Sequence, residues 1–241
     1  MKVLITGCHG QVGHCLVQQL QNKSNVNVLA LDVVGLDITN KEQVISVVAD
    51  YKPDFIINAA AHTAVDKAES EEALSIAINT DGAAYLAQAA HSVGAVMLHI
   101  STDYVFEGNK DGLYSEIDTT NPQGVYGRTK LAGELAVEEA CPRHIILRTA
   151  WVFGEHGNNF VKTMLRLGKE RDALSIVGDQ FGGPTFAGDI ASALIKITDQ
   201  IQSGSEAWGV YHFSGSPHVS WFEFAEAIFE QANKQSILKN K

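Results

Sequence analysis

The chain has 241 residues, 45% of them hydrophobic, and a formal net charge of −10. That length accommodates one large domain or one domain with a small annex, and the apolar fraction excludes a disordered chain. The acidic balance argues against a nucleic-acid surface, no apolar run approaches the ~18 residues of a membrane span, and the opening MKVLITG lacks a signal-peptide pattern. Cys8, Cys15 and Cys141 share no motif spacing, which points to reduced thiols. The expectation is a cytoplasmic protein without nucleic-acid or membrane partners.

Along the chain, strand-like apolar runs fall at residues 2–6 (KVLIT), 26–32 (VNVLALD), 54–60 (DFIINAA), 95–101 (AVMLHIS) and 144–150 (HIILRTA). Helical periodicity lies between most of them, at 11–21, 41–51 and 71–92. Alternation at this spacing predicts βαβ units and a parallel sheet, and short continuous apolar strands predict helices on both faces. The fold class is therefore α/β, a Rossmann-like doubly wound sheet. Beyond residue 150 the alternation loosens; helices are predicted at 158–170, 186–200 and 220–234, separated by short strands and glycine turns. The chain divides accordingly into residues 1–150 and a smaller C-terminal portion, 151–241.

Three stretches carry chemistry. GCHGQVG sets Gly7, Gly10 and Gly13 after a strand and at the start of a helix, where backbone N–H groups can approach a pyrophosphate. Glycines there also serve plain turns. Asp32 ends the second strand about 20 residues on, where a carboxylate can accept from an adenosine ribose or merely cap a turn. The NAAAHT run, Asn58–Thr63, ends the third strand with small side chains. Its His62 reads as a polar loop histidine, with no second ligand at metal spacing. STDYVF, residues 101–106, puts hydroxyls and a carboxylate at the end of a central strand, where open α/β sheets bind ligands. VYGRTKLAGE, residues 125–134, sets Tyr126 and Lys130 on one helix face. That spacing alone fits either a solvated face or a phenol tuned by an ammonium. In the second case the ammonium lowers the phenol pKa and makes it a general acid for a forming alkoxide.

Together GCHGQVG, INAAAHTAVDKAESE, STDYVFEG, VYGRTKLAGE, LRTAWVFG and NNFVKTML resemble the extended, sugar-nucleotide-modifying branch of the short-chain dehydrogenase/reductase superfamily. Within it they are most similar to the dTDP-4-dehydrorhamnose reductases, over essentially the whole chain. The resemblance implies NAD(P)H-dependent reduction of the C4 keto group of dTDP-4-dehydro-L-rhamnose, with Tyr126 and Lys130 as the catalytic pair and Thr102 holding the carbonyl oxygen. Lys130 would also bond the nicotinamide ribose. Gly10, Gln11 and Val12 would contact the pyrophosphate, Asp32, Asp37 and Ile38 would flank the adenosine, and Ala61, His62 and Thr63 would lie beside the cofactor. Asp103 and Trp151 would contact the nucleotide sugar, Trp151 being equally readable as a core aromatic. NADPH and NADH are both implied; Asp32 argues for NADH, because a carboxylate repels a 2′-phosphate.

The chain departs from the family in two places. The family continues past KQSILKNK through a segment with an Arg-Pro motif that closes the nucleotide-sugar site, so 151–241 is expected to be an incomplete substrate portion. Some members also use an acidic residue on the first helix in a Mg2+-bridged homodimer; Cys15 stands there, which argues against that metal. Two other functions share the scaffold: a non-catalytic cofactor-binding subunit of the methionine adenosyltransferase beta type, and a nucleotide-sugar epimerase or dehydratase.

Overall fold

The computed structural model describes residues 1–238. Five strands, β1 (Lys2–Thr6), β2 (Asn27–Leu31), β3 (Phe55–Asn58), β4 (Val96–Thr102) and β5 (His144–Thr149), lie where the apolar runs predict them. A sixth, β9 (Gly209–His212), pairs with β5, and the all-parallel sheet has the order β2-β1-β3-β4-β5-β9. The sequence reading did not place this last strand: GVYH is short and its residues are only partly covered.

Side chains alternate across the sheet and build two cores. Val3, Ile5, Phe55, Ile57, Val96, Leu98, Ile145 and Leu147 face α1 (Gln11–Gln21) and α8 (Ala187–Gln202). Leu4, Ile56, Met97 and Ile146 face α2 (Lys41–Tyr51), α5 (Gly82–Val93) and α6 (Val125–Ala140). Both faces are covered, which is why the strands read as unbroken apolar runs. On the α6 side the same register sets Thr6 opposite Asn58 and Asn58 opposite His99, a polar row at the sheet's carboxyl end.

After residue 150 the chain contributes both to this sheet, through α8 and β9, and to a separate aromatic layer. There α7 (Phe160–Glu170) and α9 (Trp221–Lys234) bury Met164, Ala225 and Ile228 between them. Two two-stranded ribbons border it: β6 (Val152–Phe153) with β8 (Thr185–Phe186), and β7 (Phe181–Gly182) with β10 (Val219–Ser220). Residues 239–241, the end of the expected C-terminal portion, lie outside the described residues.

The helix expected at 71–92 needs correction. It is interrupted: α4 (Glu72–Ile76) passes into a π-helical turn, Ala77–Asp81, before α5 begins. The added residue turns Asn79 inward, where its Oδ1 accepts the His62 N–H at 2.8 Å and its Nδ2 donates to the His62 carbonyl at 3.1 Å. No helix among the described residues is long and apolar enough to cross a membrane.

Candidate active site

The glycine loop between β1 and α1 separates structural from functional glycines. Gly7 sits at φ +68, and a Cβ on it would come 2.7 Å from the Ala60 backbone; one on Gly13 would overlap the Gly7 carbonyl oxygen. Both are required by the chain's own packing. A Cβ on Gly10 would meet only the Gly7 carbonyl oxygen, at 3.2 Å. Gly10 is also the N-cap of α1, which has no side-chain cap and no acidic residue in its first turn. The N–H groups there, with the positive end of the helix dipole, are suited to an anion. Val12 is buried in the core and offers its backbone. The Gln11 side chain reaches across to the second layer: its Nε2 donates to the Val152 carbonyl at 3.4 Å and its Oε1 accepts from Asn159 at 3.0 Å.

At the far end of this loop Asp32 follows β2. One of its oxygens accepts the Val33 N–H at 2.8 Å and the other lies 2.8 Å from His9 Nδ1. Asp37 binds the backbone N–H and hydroxyl of Thr39, and the Ile38 side chain is buried beneath Gly82. Those two side chains are therefore engaged in the fold, leaving backbone atoms for a ligand. Ala61, His62 and Thr63 form the loop after β3. Beyond its backbone bonds to Asn79, His62 places Nδ1 2.8 Å from Ser75 Oγ and Nε2 3.3 Å from Glu71, so both ring nitrogens have partners within the protein.

VYGRTKLAGE is not a solvated face. Tyr126, Lys130 and Glu134, one turn apart, are all buried, at 9%, 2% and 3% exposure. Gly127 makes this possible, since any side chain there would overlap the Tyr104 carbonyl. Tyr126 also meets Tyr104 edge-on, with centroids 5.4 Å apart. Thr102, the last residue of β4, lies beside the phenol, donates to Asp103 Oδ1 at 3.1 Å and accepts the Tyr104 N–H at 3.2 Å. Thus Tyr126, Lys130, Thr102 and Asp103 come together at the carboxyl end of the central strand.

The electrostatics correct one expectation. The Tyr126 pKa is raised rather than lowered: burial penalises the phenolate, and the Thr102 hydrogen bond offsets this only in part. Lys130 directs its Nζ elsewhere, to the Ile100 carbonyl at 2.7 Å and to His99 Nε2 at 3.2 Å. Burial lowers Lys130 itself to about 8, opposed by Glu134. Asp103 is raised to about 6 by burial, against hydrogen bonds from Thr102 and the backbone.

Trp151 follows β5 at φ +47, a left-handed conformation that a tryptophan holds only when its surroundings fix it. Its ring stacks on Trp221 at 3.5 Å and 9°, and a Cβ on Gly182 would run into it. The aromatic reading thus accounts for one face of the ring, which joins the β5 end to α9.

The sequence matches the RmlD substrate binding domain family over residues 1–240. It is 52% identical over 240 residues to the dTDP-4-dehydrorhamnose reductase of Aggregatibacter actinomycetemcomitans, covering 99% of this chain and 82% of that one. The chain belongs to the dTDP-4-dehydrorhamnose reductase family. Among solved structures, the Clostridium acetobutylicum dTDP-4-dehydrorhamnose reductase superposes with a TM-score of 0.93 at 45% identity, over 99% of this chain and 82% of that one. The Bacillus anthracis family member, in complex with NADP, gives 0.91 at 43% identity, over 100% and 82%.

A dinucleotide fits what this member of the family presents. The uncapped α1 with room at Gly10 suits a pyrophosphate, and Ser101 Oγ and Thr149 Oγ1, at the carboxyl ends of β4 and β5, are buried without a protein partner. Magnesium does not fit Cys15, whose thiol is half-buried and held protonated by burial and by Glu155; hard cations take oxygen ligands. Among the described residues no three His, Cys, Asp or Glu side chains gather in a metal-holding group.

Sequence reasoning missed His99, Asn58, Asn79 and the buried Glu134–Arg148 pair, whose closest approach is 2.6 Å. A signal existed for His99, a lone imidazole within the apolar run VMLHIST, and for Glu134, one turn beyond Lys130. Asn79 had none, because its role depends on the π-turn.

Proposed function

We propose that this chain reduces the C4 keto group of dTDP-4-dehydro-L-rhamnose to dTDP-L-rhamnose, using NADPH or NADH. The observation that carries the reading is the burial of Tyr126, Lys130 and Thr102 at the carboxyl end of the parallel sheet, the end at which the uncapped α1 also begins. When bound, the nicotinamide cofactor supplies the hydride for the carbonyl carbon. Thr102 holds the carbonyl oxygen, and Tyr126 gives that oxygen its proton. A phenol raised by burial still suits the task, because an alcohol is a far weaker acid and the forming alkoxide takes the proton downhill. Lys130 as ammonium compensates the phenolate left behind. Gly10, Gln11, Val12 and Gly13 hold the pyrophosphate, Asp32 with Asp37 and Ile38 flank the adenosine, and Ala61–Thr63 lie alongside. Residues 151–241 form the smaller, substrate-binding portion, with Trp151 at the border of the sugar-nucleotide site, and the reductase works in the cytoplasm.

An intact donor, positioner and cation favour the reductase over a non-catalytic binding subunit. The test is cofactor absorbance: it should fall only when the dehydro sugar is present, and no fall with either cofactor would contradict the reading.

Asp103 adds a pH dependence. As a carboxylate it accepts from a sugar hydroxyl; once protonated it cannot do so without rearranging. Its raised pKa places the loss at about 6, so kcat/KM should fall about tenfold per unit below that pH. In Asp103→Asn this acid limb should vanish and KM should rise at neutral pH. A limb unchanged in the variant would assign it to another group.

A further inference from the structure

The helix that carries Tyr126 does not cap itself. α6 starts at Val125 behind an N-cap glycine, Gly124, which has no side chain to offer, and its first turn holds no acidic residue. The first N–H groups of a helix have no partner within it. Here the Val125 N–H donates to Glu69 Oε1 at 2.8 Å, across 56 positions of sequence. A Cβ on Gly124 would come 3.0 Å from that same oxygen, so the glycine leaves the carboxylate room to reach the backbone. A carboxylate at a helix N-terminus makes a charge-assisted bond and meets the positive end of the helix dipole.

Glu69 is itself tied to the other side of the site. It directly follows α3 (Val65–Ala68), and that short helix begins two residues after Ala61–Thr63, the loop placed beside the cofactor. Val65 and Ala68 pack against Val125 and Tyr126. The loop has anchors of its own, in the bonds from His62 to Asn79, Ser75 and Glu71. Apolar packing of small side chains is non-directional, whereas a hydrogen bond sets a distance. The Glu69 bond therefore joins the loop after β3 to the first N–H of α6, one residue ahead of the phenol.

We propose that Glu69 is a positioning residue for the reduction, its bond to Val125 setting the Tyr126 hydroxyl against a cofactor that lies along the loop after β3. The inference rests on the reading of Tyr126 as proton donor. A reacting group misplaced by about 1 Å can lose about 10²-fold in rate, so a bond that fixes the first turn of α6 acts on turnover more than on affinity.

Glu69→Ala should lower kcat by about 10–100-fold, while KM for the sugar and NADPH affinity hold, because the loop keeps its own anchors. It should also lower Tm by about 2–4 °C, the usual cost of a lost cap in a chain of this size. Two further variants separate positioning from plain helix stability. Glu69→Gln keeps an oxygen that can accept the Val125 N–H and should restore most of the turnover. Glu69→Ala combined with Gly124→Ser gives α6 a cap of its own, on extended backbone (φ −111, ψ 168) that serine adopts, with the 3.0 Å contact removed along with the carboxylate. This double variant should recover Tm and not kcat. Recovery of kcat together with Tm would reduce Glu69 to a helix cap and overturn the proposal. Undiminished kcat in Glu69→Ala, a loss confined to KM, or an equal loss in Glu69→Gln would also overturn it. Should Glu69→Ala alone fail to fold, the Gln and double variants carry the same comparison. Near-normal turnover in Tyr126→Phe would instead sink the donor reading, and that variant keeps Glu69, so the two failures are distinguishable.

Discussion

Tyr126→Phe should lower kcat by about 10²–10⁴-fold, the usual worth of a positioned general acid, with cofactor affinity unchanged. The phenol is buried with Thr102 beside its hydroxyl and Tyr104 against its ring edge, so the variant keeps the packing and loses only the proton donor. Removing a buried polar group whose partner can turn to other acceptors costs little stability, on the order of 1 kcal/mol, and Thr102 still has Asp103. Single-turnover kinetics and cofactor titration separate the two effects. Near-normal turnover would remove Tyr126 from the chemistry and leave its burial as mere packing.

Gly10→Val should abolish cofactor binding in a protein that remains folded. The position has extended backbone at φ −73 and ψ 172, which valine adopts readily, and the added Cβ meets a single oxygen at 3.2 Å. Valine is a poor N-cap, costing about 1 kcal/mol, or about 2–4 °C in Tm for a chain of this size. Its branched bulk, however, fills the approach to the α1 N–H groups. Gly7→Ala supplies the contrast: a positive φ and contact with the Ala60 backbone should cost far more stability. Calorimetry with NADPH and melting curves for both variants check the division. Unchanged affinity in a folded Gly10→Val protein would mean that this glycine serves only the turn.

The sheet was legible because its strands are buried on both faces. KVLIT and HIILRTA bury nearly every residue, and a run of that kind announces itself without alternation. GVYH was hidden because an edge strand of four partly covered residues has no such signature. The site divides in the same way. Tyr126 and Lys130 share a face by helical geometry alone, which spacing reveals. Their electrostatics come from tertiary burial, which spacing does not reveal and which raises the Tyr126 pKa where an adjacent ammonium alone would lower it. Likewise the row Thr6–Asn58–His99 exists only through the register of three strands separated by long stretches of chain. Gln11 read as a pyrophosphate neighbour, and only the fold shows its side chain bridging to Asn159, 148 positions along.

The central claim, that hydride passes to C4 of the sugar while Tyr126 protonates the oxygen, is tested most directly by isotope transfer. The protein is incubated with dTDP-4-dehydro-L-rhamnose and NADPH carrying deuterium at the transferable position, and the product is examined by NMR and mass spectrometry. One deuterium should appear, at C4 of dTDP-L-rhamnose, and none should appear with Tyr126→Phe over the same interval. Oxidation of the cofactor without deuterium at C4, or equal labelling by the variant, would contradict the account.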